Sequence, residues 1–323
     1  MIRGIAFCAA AACAALMGFA IQRGATCTVA AVDQVLSERR FLRLAALVEA
    51  SMWVSGGLLI LYELGGLVEV PMGYALTART LAGAALLGLG AFVNRACVFG
   101  AIARFGSGEW VYAATPLGFY LGCLATGRLV ASAPPERLAS SSIVLAAPGL
   151  VGGLVAVWFA WRVGAAVVRG RRMIPALVTE GLWAPHAATG VIGLAFLAML
   201  LLVGSWAWTD AVAELARGST RGLAARLLLA ACLLAGAVIG GWRAGRLRRV
   251  PIGAVALLRC VAGGAMMGWG SLLIPGSNDG LILVGMPLLW PYAWAAFLTM
   301  CAAIGAAQTL QARFAPRRAL VRA

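Results

Sequence analysis

Apolar positions in this chain fill whole runs, broken by short polar clusters. Runs near 2–21, 42–62, 74–93, 110–130, 143–163, 183–203, 224–242, 252–273 and 288–307 are each about 20 residues, the length a helix needs to cross about 30 Å of hydrocarbon. These runs predict nine transmembrane helices. Four shorter stretches lie between them, near 24–36, 95–105, 205–215 and 276–285. They carry Gly, Cys, Ser, Asn or Asp and are too short to span. Such pieces read as re-entrant or half-helical segments, which backbone hydrogen bonding permits only where they are buried in protein or face water.

The runs repeat. Laid over one another at a fixed offset of 180 residues, 70–100 and 250–280 share Val70/Val250, Pro71/Pro251, Gly73/Gly253, Arg79/Arg259, Ala82/Ala262, Gly83/Gly263, Ala85/Ala265, Gly88/Gly268, Gly90/Gly270 and Gly100/Gly280. Chance would give roughly three matches in so Ala-, Gly- and Leu-rich a stretch, so duplication is the simpler explanation. Trp110, Tyr112 and Ala113 also fall on Trp290, Tyr292 and Ala293, and Cys97 falls on Ser277. Each half then holds four crossings and two short pieces, with the run at 143–163 joining them. Five crossings separate a helix from its counterpart. An odd number reverses direction, so the halves should form an inverted repeat about an axis in the membrane plane. The expected fold is an all-α polytopic membrane protein with about nine transmembrane helices, four half-helices and two inverted repeats. Its divisions are 1–137, a connecting helix and basic loop over 138–180, and 181–323.

Composition agrees with this reading. The chain is 63% hydrophobic and 11% charged, and its net charge of +15 comes from arginine, with no lysine. The arginines cluster in alternate connections, at 39–43, 95 and 104, 162–172, 243–249 and 313–322, while the other face holds Glu63, Glu69 and a few arginines such as Arg3, Arg128, Arg137, Arg217 and Arg221. By the positive-inside rule the N-terminus is outside and the C-terminus cytoplasmic. Basic loops attracted to anionic lipid account for the charge without nucleic acid. The first run resembles a signal peptide but has no clear small-residue cleavage site, and the repeat needs it as a helix. Eight cysteines show no CxxC and no paired spacing, which argues against a disulfide framework or a metal site.

The candidate chemistry sits in the short pieces. Gly24-Ala25-Thr26-Cys27, Asn94-Arg95-Ala96-Cys97-Val98-Phe99-Gly100 and Pro275-Gly276-Ser277-Asn278-Asp279-Gly280 each set a thiol or hydroxyl beside glycines. Glycine lets backbone approach a solute, and a helix starting there offers free N–H groups with partial positive charge. A thiol suits the soft sulfur end of a ligand. Cys8, Cys13, Cys123, Cys232, Cys260 and Cys301 read as packing residues. Arg79 and Arg259, about six residues into their runs, either have a role inside the membrane or snorkel to the interface. Glu49 is a partner for an arginine, a proton site or a residue facing a wet cavity. His186, the only histidine, reads as a capping or interface residue.

With these motifs, and with Gln22-Arg23-Gly24 and the run Gly263-Gly264-Ala265-Met266-Met267-Gly268-Trp269-Gly270, the chain resembles the YeeE/YedE family of sulfur-transport membrane proteins, whose characterised branch takes up thiosulfate. The resemblance covers essentially the full length. It implies an hourglass of two inverted halves with cysteines along the substrate path, matched here by Cys27 and Cys97. The third family cysteine lies in a Gly-Cys-Asn pattern where this chain has Gly276-Ser277-Asn278. The expectation is a bacterial inner-membrane permease for a small sulfur-containing anion, most simply thiosulfate, with no cofactor and no metal. Its path would involve Cys27, Cys97, Ser277, Asn278, Asn94, Arg95, Gly100, Gly276 and Gly280, with charge roles for Arg79, Arg259 and Glu49. A cytoplasmic sulfur-accepting protein is the expected partner. The alternatives are a membrane sulfurtransferase that carries a persulfide on Cys97 or Cys27, or a transporter of another sulfur or selenium species.

Overall fold

The computed structural model of the protein describes residues 2–66, 70–129, 136–138, 142–146, 149–179, 181–219 and 222–314. Glu69, Arg221 and the tail arginines beyond 314 lie outside the described residues. In chain order the helices are α1 (Ile2–Arg23), α2 (Thr28–Glu38), α3 (Leu42–Glu63), α4 (Ala78–Asn94), α5 (Val98–Gly106), α6 (Ala114–Leu129, entered through a 3-10 turn, Trp110–Ala113), α7 (Ile143–Ala146), α8 (Leu150–Thr179), α9 (Pro185–Val203), α10 (Trp208–Ala216), α11 (Leu223–Arg243), α12 (Ala254–Leu273), α13 (Asn278–Gly280, continued by a π turn, Leu281–Gly285) and α14 (Pro291–Phe314). Among the described residues there is no strand, only an isolated bridge between Tyr74 and Arg137. The chain is an all-α polytopic membrane protein.

Among the described residues, eight helical stretches are long and apolar enough to cross a membrane. The expected count of about nine is therefore met by eight on length, and the difference is α6. It has 16 residues, about 24 Å of helix, because the 3-10 turn takes up the first part of the run. The expected joining span at 143–163 is also redrawn: a four-residue α7 comes first, and α8 then runs for 30 residues.

Local sequence sets the helix boundaries. Thr77 and Thr80 close a reciprocal capping box at the start of α4, and Pro185 occupies the first turn of α9, where its missing N–H costs nothing. Arg39 and Arg95 end α2 and α4 in the left-handed conformation. Gly276, at φ +126°, makes the turn out of α12 that a side chain would oppose.

The packing repeats with the two halves exchanged. Subtracting 180 from the starts of α9 to α14 gives 5, 28, 43, 74, 98 and 111, beside first-half helix starts of 2, 28, 42, 78, 98 and 114, the last preceded by its 3-10 turn from 110. Helix α1 packs on α11 and its counterpart α9 packs on α3; α6 packs on α12 and its counterpart α14 on α4. The equivalent helices α4 and α12 face one another through glycines. A Cβ on Gly83 would lie 2.8 Å from the Gly270 carbonyl oxygen, one on Gly270 would lie 2.6 Å from Gly83 oxygen, and Gly90 and Gly263 meet in the same way at 2.8 and 2.7 Å. Residue 83 faces 270 while 90 faces 263, so these two copies run antiparallel. By contrast α6 and α12 are parallel, with Gly118 against Val261 and Gly122 against Ala265. Both directions agree with α6 crossing in full.

Helix α8 stands at the edge. It packs against α3, where Trp158 and Phe159 lie 5.9 and 5.5 Å from the Trp53 ring and Phe159 fills the space over Gly56.

Backbone-to-backbone approach in lipid depends on the missing Cβ. Gly90→Ala and Gly263→Ala should each destabilise the protein by about 1–3 kcal/mol, because the added methyl meets backbone that cannot rotate away. Gly153→Ala, where nothing lies within 4 Å, should be neutral or slightly stabilising. Thermal unfolding in detergent checks this; equal effects at all three positions would contradict the packing described.

Candidate functional site

Helices α2, α5, α10 and α13 share one construction at their starts. Each is preceded by a residue with extended backbone, respectively Cys27, Cys97, Ala207 and Ser277, and none of these four side chains caps its own helix. Their carbonyls accept the first helical hydrogen bonds, from Ala31, Ala101, Ala211 and Leu281. The α4 start, closed by Thr77, shows what a self-satisfied terminus looks like. At these four, some of the first N–H groups find other acceptors, the Thr28 N–H on Cys97 Sγ and the Gly280 N–H on the Asp279 carboxylate.

The four starts meet. The Thr28 N–H donates to Cys97 Sγ at 3.2 Å, Asn278 Nδ2 donates to Thr28 Oγ1 at 3.4 Å, and Thr209 Oγ1 donates to the Asp279 carboxylate, 2.7 and 2.9 Å from its two oxygens. The Cys27 and Cys97 thiols are within hydrogen-bonding reach of each other. Gly100 makes this possible: a Cβ there would stand 2.5 Å from Cys27 Sγ and 3.0 Å from its Cβ. Thr28, Cys97, Ser277, Asn278 and Asp279 are buried, while Cys27 is partly exposed. A void of about 10 Å³ lies beside them, bordered by Phe99, Trp206, Trp208 and Asp279. It is far smaller than a polyatomic sulfur anion, so the junction is closed.

Several polar atoms at this junction lack a partner. Ser277 Oγ, Asn278 Oδ1 and the Trp206 and Trp208 indole nitrogens are buried without a hydrogen bond. Leaving a buried donor unsatisfied costs about 1–3 kcal/mol. Three of these four groups can donate, and they stand with the starts of α2, α5 and α10, whose aligned backbone dipoles give a partial positive charge. Together they suit an anion.

A second cavity, of about 410 Å³, opens on the α10–α13 side and is lined by Gly276, Gly280, Asp210, Arg217, Arg226 and Tyr292, among others. Gly280 has nothing within 4 Å of where its Cβ would be, so this glycine faces open space. Arg226 is paired with Glu214 at 2.7 Å.

The other residues singled out in the sequence are placed elsewhere. Asn94 is spent on the loop: its Nδ2 donates to Ala96 oxygen at 2.8 Å, its Oδ1 accepts from Thr115 at 3.1 Å, and its carbonyl accepts from Tyr112 at 3.3 Å. It shapes the turn into α5 instead of lining a path. Arg95 takes the left-handed position of that turn with an exposed side chain. Arg79 lies in the first turn of α4, because the helix starts at Ala78 and not at 74, and Arg259 lies in the second turn of α12; both are half-buried and away from the helix starts. Glu49 is held by Arg162 of α8 and His186 of α9 and accepts from the Trp53 indole at 3.2 Å. Of its three possible roles it fills that of partner, tying α8 and α9 to α3.

Thr28, Thr209, Asp210, Trp206 and Trp208 were not among the residues singled out, although Asp210 is one of only 11 acidic residues in the chain. No group of three or more His, Cys, Asp or Glu able to hold a metal occurs among the described residues.

No curated protein matches the chain. A family model described as "Sulphur transport" matches residues 23–306, which takes in all four half-helix starts. The chain belongs to the sulphur transport family.

Proposed function

We propose that the protein is a permease that brings a small sulfur-containing anion, thiosulfate in the first instance, into the cell through the junction of the four half-helix starts. The observation that carries this reading is the meeting of uncapped helix starts with unpartnered donors at a buried point flanked by Cys27, Cys97 and Ser277. Family membership supplies sulfur transport; the geometry supplies a place where an oxyanion is stabilised without a full positive charge. The thiols suit the terminal sulfur of thiosulfate, and the backbone N–H groups, the Ser277 hydroxyl and the indoles suit its oxygens. A hydroxyl at 277 keeps the hydrogen bond of a thiol but cannot form a persulfide, which favours hand-over without covalent change.

In this reading the protein lies in the bacterial inner membrane with its N-terminus outside. The division at 1–137, 138–180 and 181–323 gives two oppositely directed halves with a linking helix, so that α10 and α13 descend from the outer face and α2 and α5 rise from the cytoplasmic one. The 410 Å³ cavity is then the outer vestibule. Cys27, partly exposed, opens toward the cytoplasm, where a sulfur-accepting protein would keep the inner concentration low. That sink matters, because a dianion moving against about 100 mV of inside-negative potential is opposed by about 4.6 kcal/mol.

In vesicles holding the purified protein, labelled thiosulfate should accumulate, and Cys97→Ala should lower its uptake about tenfold or more, since a hydrogen bond to a charged group is worth about 1.5–3 kcal/mol. Wild-type uptake in that variant would contradict the assigned path, and a sulfur adduct on Cys27 or Cys97 seen by mass spectrometry after turnover would favour the sulfurtransferase instead.

The two glycines of the repeat separate pathway from packing. Gly100→Ala should depress uptake as strongly as Cys27→Ala, because the new methyl displaces the Cys27 sulfur. Gly280→Ala, whose methyl enters open cavity, should keep most of it. Similar losses at both glycines would argue that they serve only helix packing.

A further inference from the structure

The two halves match in backbone and differ in charge. Thr209, Asp210 and Asp279 occupy positions that correspond to Val29, Ala30 and Phe99 in the first half. Carboxylates therefore stand on one side of the junction only, and they form a sequence along it. Asp210 lines the 410 Å³ cavity. Asp279, 3% exposed, lies deeper: it borders the central void together with Phe99, the second residue after Cys97, and accepts from Thr209 Oγ1 and from the Gly280 N–H at 3.0 Å. On the transport reading, an anion going from the cavity to the cysteines passes both acids.

Two ionised carboxylates would repel that anion, whereas two carboxylic acids would offer it O–H donors. We propose that Asp210 and Asp279 carry the protons that accompany the anion, so that the protein is a proton–anion symporter. The inference rests on the transport reading above and adds what drives it.

The surroundings of the pair accommodate a proton. The hydroxyl of Thr209 can donate to an ionised Asp279 or accept from a protonated one, so the site holds either state. Among the charged groups of the cavity and junction, Asp210, Glu214 and Asp279 face Arg217 and Arg226. With all ionised the region is net negative by one; with the pair protonated it is net positive by one, which draws an anion in. Tyr74 and Tyr292 line the same cavity, and Cys123 of α6 also faces Asp210. As neutral groups they leave this balance unchanged. Two protons per thiosulfate make transport electroneutral and free it from the membrane potential.

The test records labelled thiosulfate uptake and internal pH together, in vesicles holding the full-length wild-type protein. Thiosulfate entry should acidify the lumen, accelerate under an inward proton gradient, and fall about a hundredfold per unit of external pH once both acids ionise. Asp210→Asn and Asp279→Asn should each lower the proton count from two to one per thiosulfate and halve the pH slope, and the double variant should move no protons, with thermal stability retained. Should an Asn variant fail to fold, the wild-type proton signal still decides. Thiosulfate uptake without proton entry overturns the coupling and leaves the transport reading intact, and so does a wild-type pH profile in both variants. No thiosulfate uptake at any pH overturns both.

Discussion

Lipid offers a backbone N–H no partner. A chain that breaks its helices inside a membrane must therefore supply partners itself or reserve the groups for a ligand. Four breaks occur in this protein, and each leaves a helix start that its own preceding residue does not cap. They are tolerable because they are brought together. The Thr28 N–H reaches Cys97, and side-chain bonds from Asn278 to Thr28 and from Thr209 to Asp279 tie the other starts to it. These bonds leave the Ser277 hydroxyl and two indole N–H groups buried and unpaired. The same constraint that would destabilise a lone break is, in the proposed function, what makes a binding point where four of them meet.

Bringing the starts together depends on how closely the long helices pack. The α4–α12 contact is made through Gly83, Gly90, Gly263 and Gly270, each against backbone of the other helix. Because these two helices are equivalents in the repeat and run antiparallel, one set of glycines serves both copies. The acids and thiols, by contrast, are not shared: Cys27 corresponds to Ala207, and Asp279 to Phe99. Backbone geometry has stayed symmetric where helices must touch, while side-chain chemistry has diverged where the two faces of a membrane present different tasks.

This contrast explains how much could be read in advance. Hydrophobic run length and the 180-residue offset sufficed for the helices, the four half-helix positions and the opposed directions of the halves, since each rests on a one-dimensional signal. The cysteines and Ser277 were legible because a thiol or hydroxyl beside glycine in apolar sequence is unusual. Asn94 and Arg95, carried along with Cys97 by adjacency, are instead parts of the turn that aims it, and only the hydrogen bonds of the Asn94 side chain show that. Arg79 looked deep because its apolar run begins at 74, but the Thr77 cap starts the helix four residues later. Glu49, Arg162 and His186 lie on three helices far apart in sequence, and nothing in the repeat pairs them, because the counterparts of Glu49 and His186 are Leu229 and Ala6.

The account stands on the claim that the four uncapped starts form one anion-binding point. A structure determined with saturating thiosulfate tests it most directly. Density for the anion should lie at the junction, about 3 Å from the Ser277 hydroxyl and from backbone N–H groups at the half-helix starts, with its terminal sulfur toward Cys27 and Cys97. A junction that stays empty at saturation, or an anion bound only on the lipid-facing surface, would contradict it.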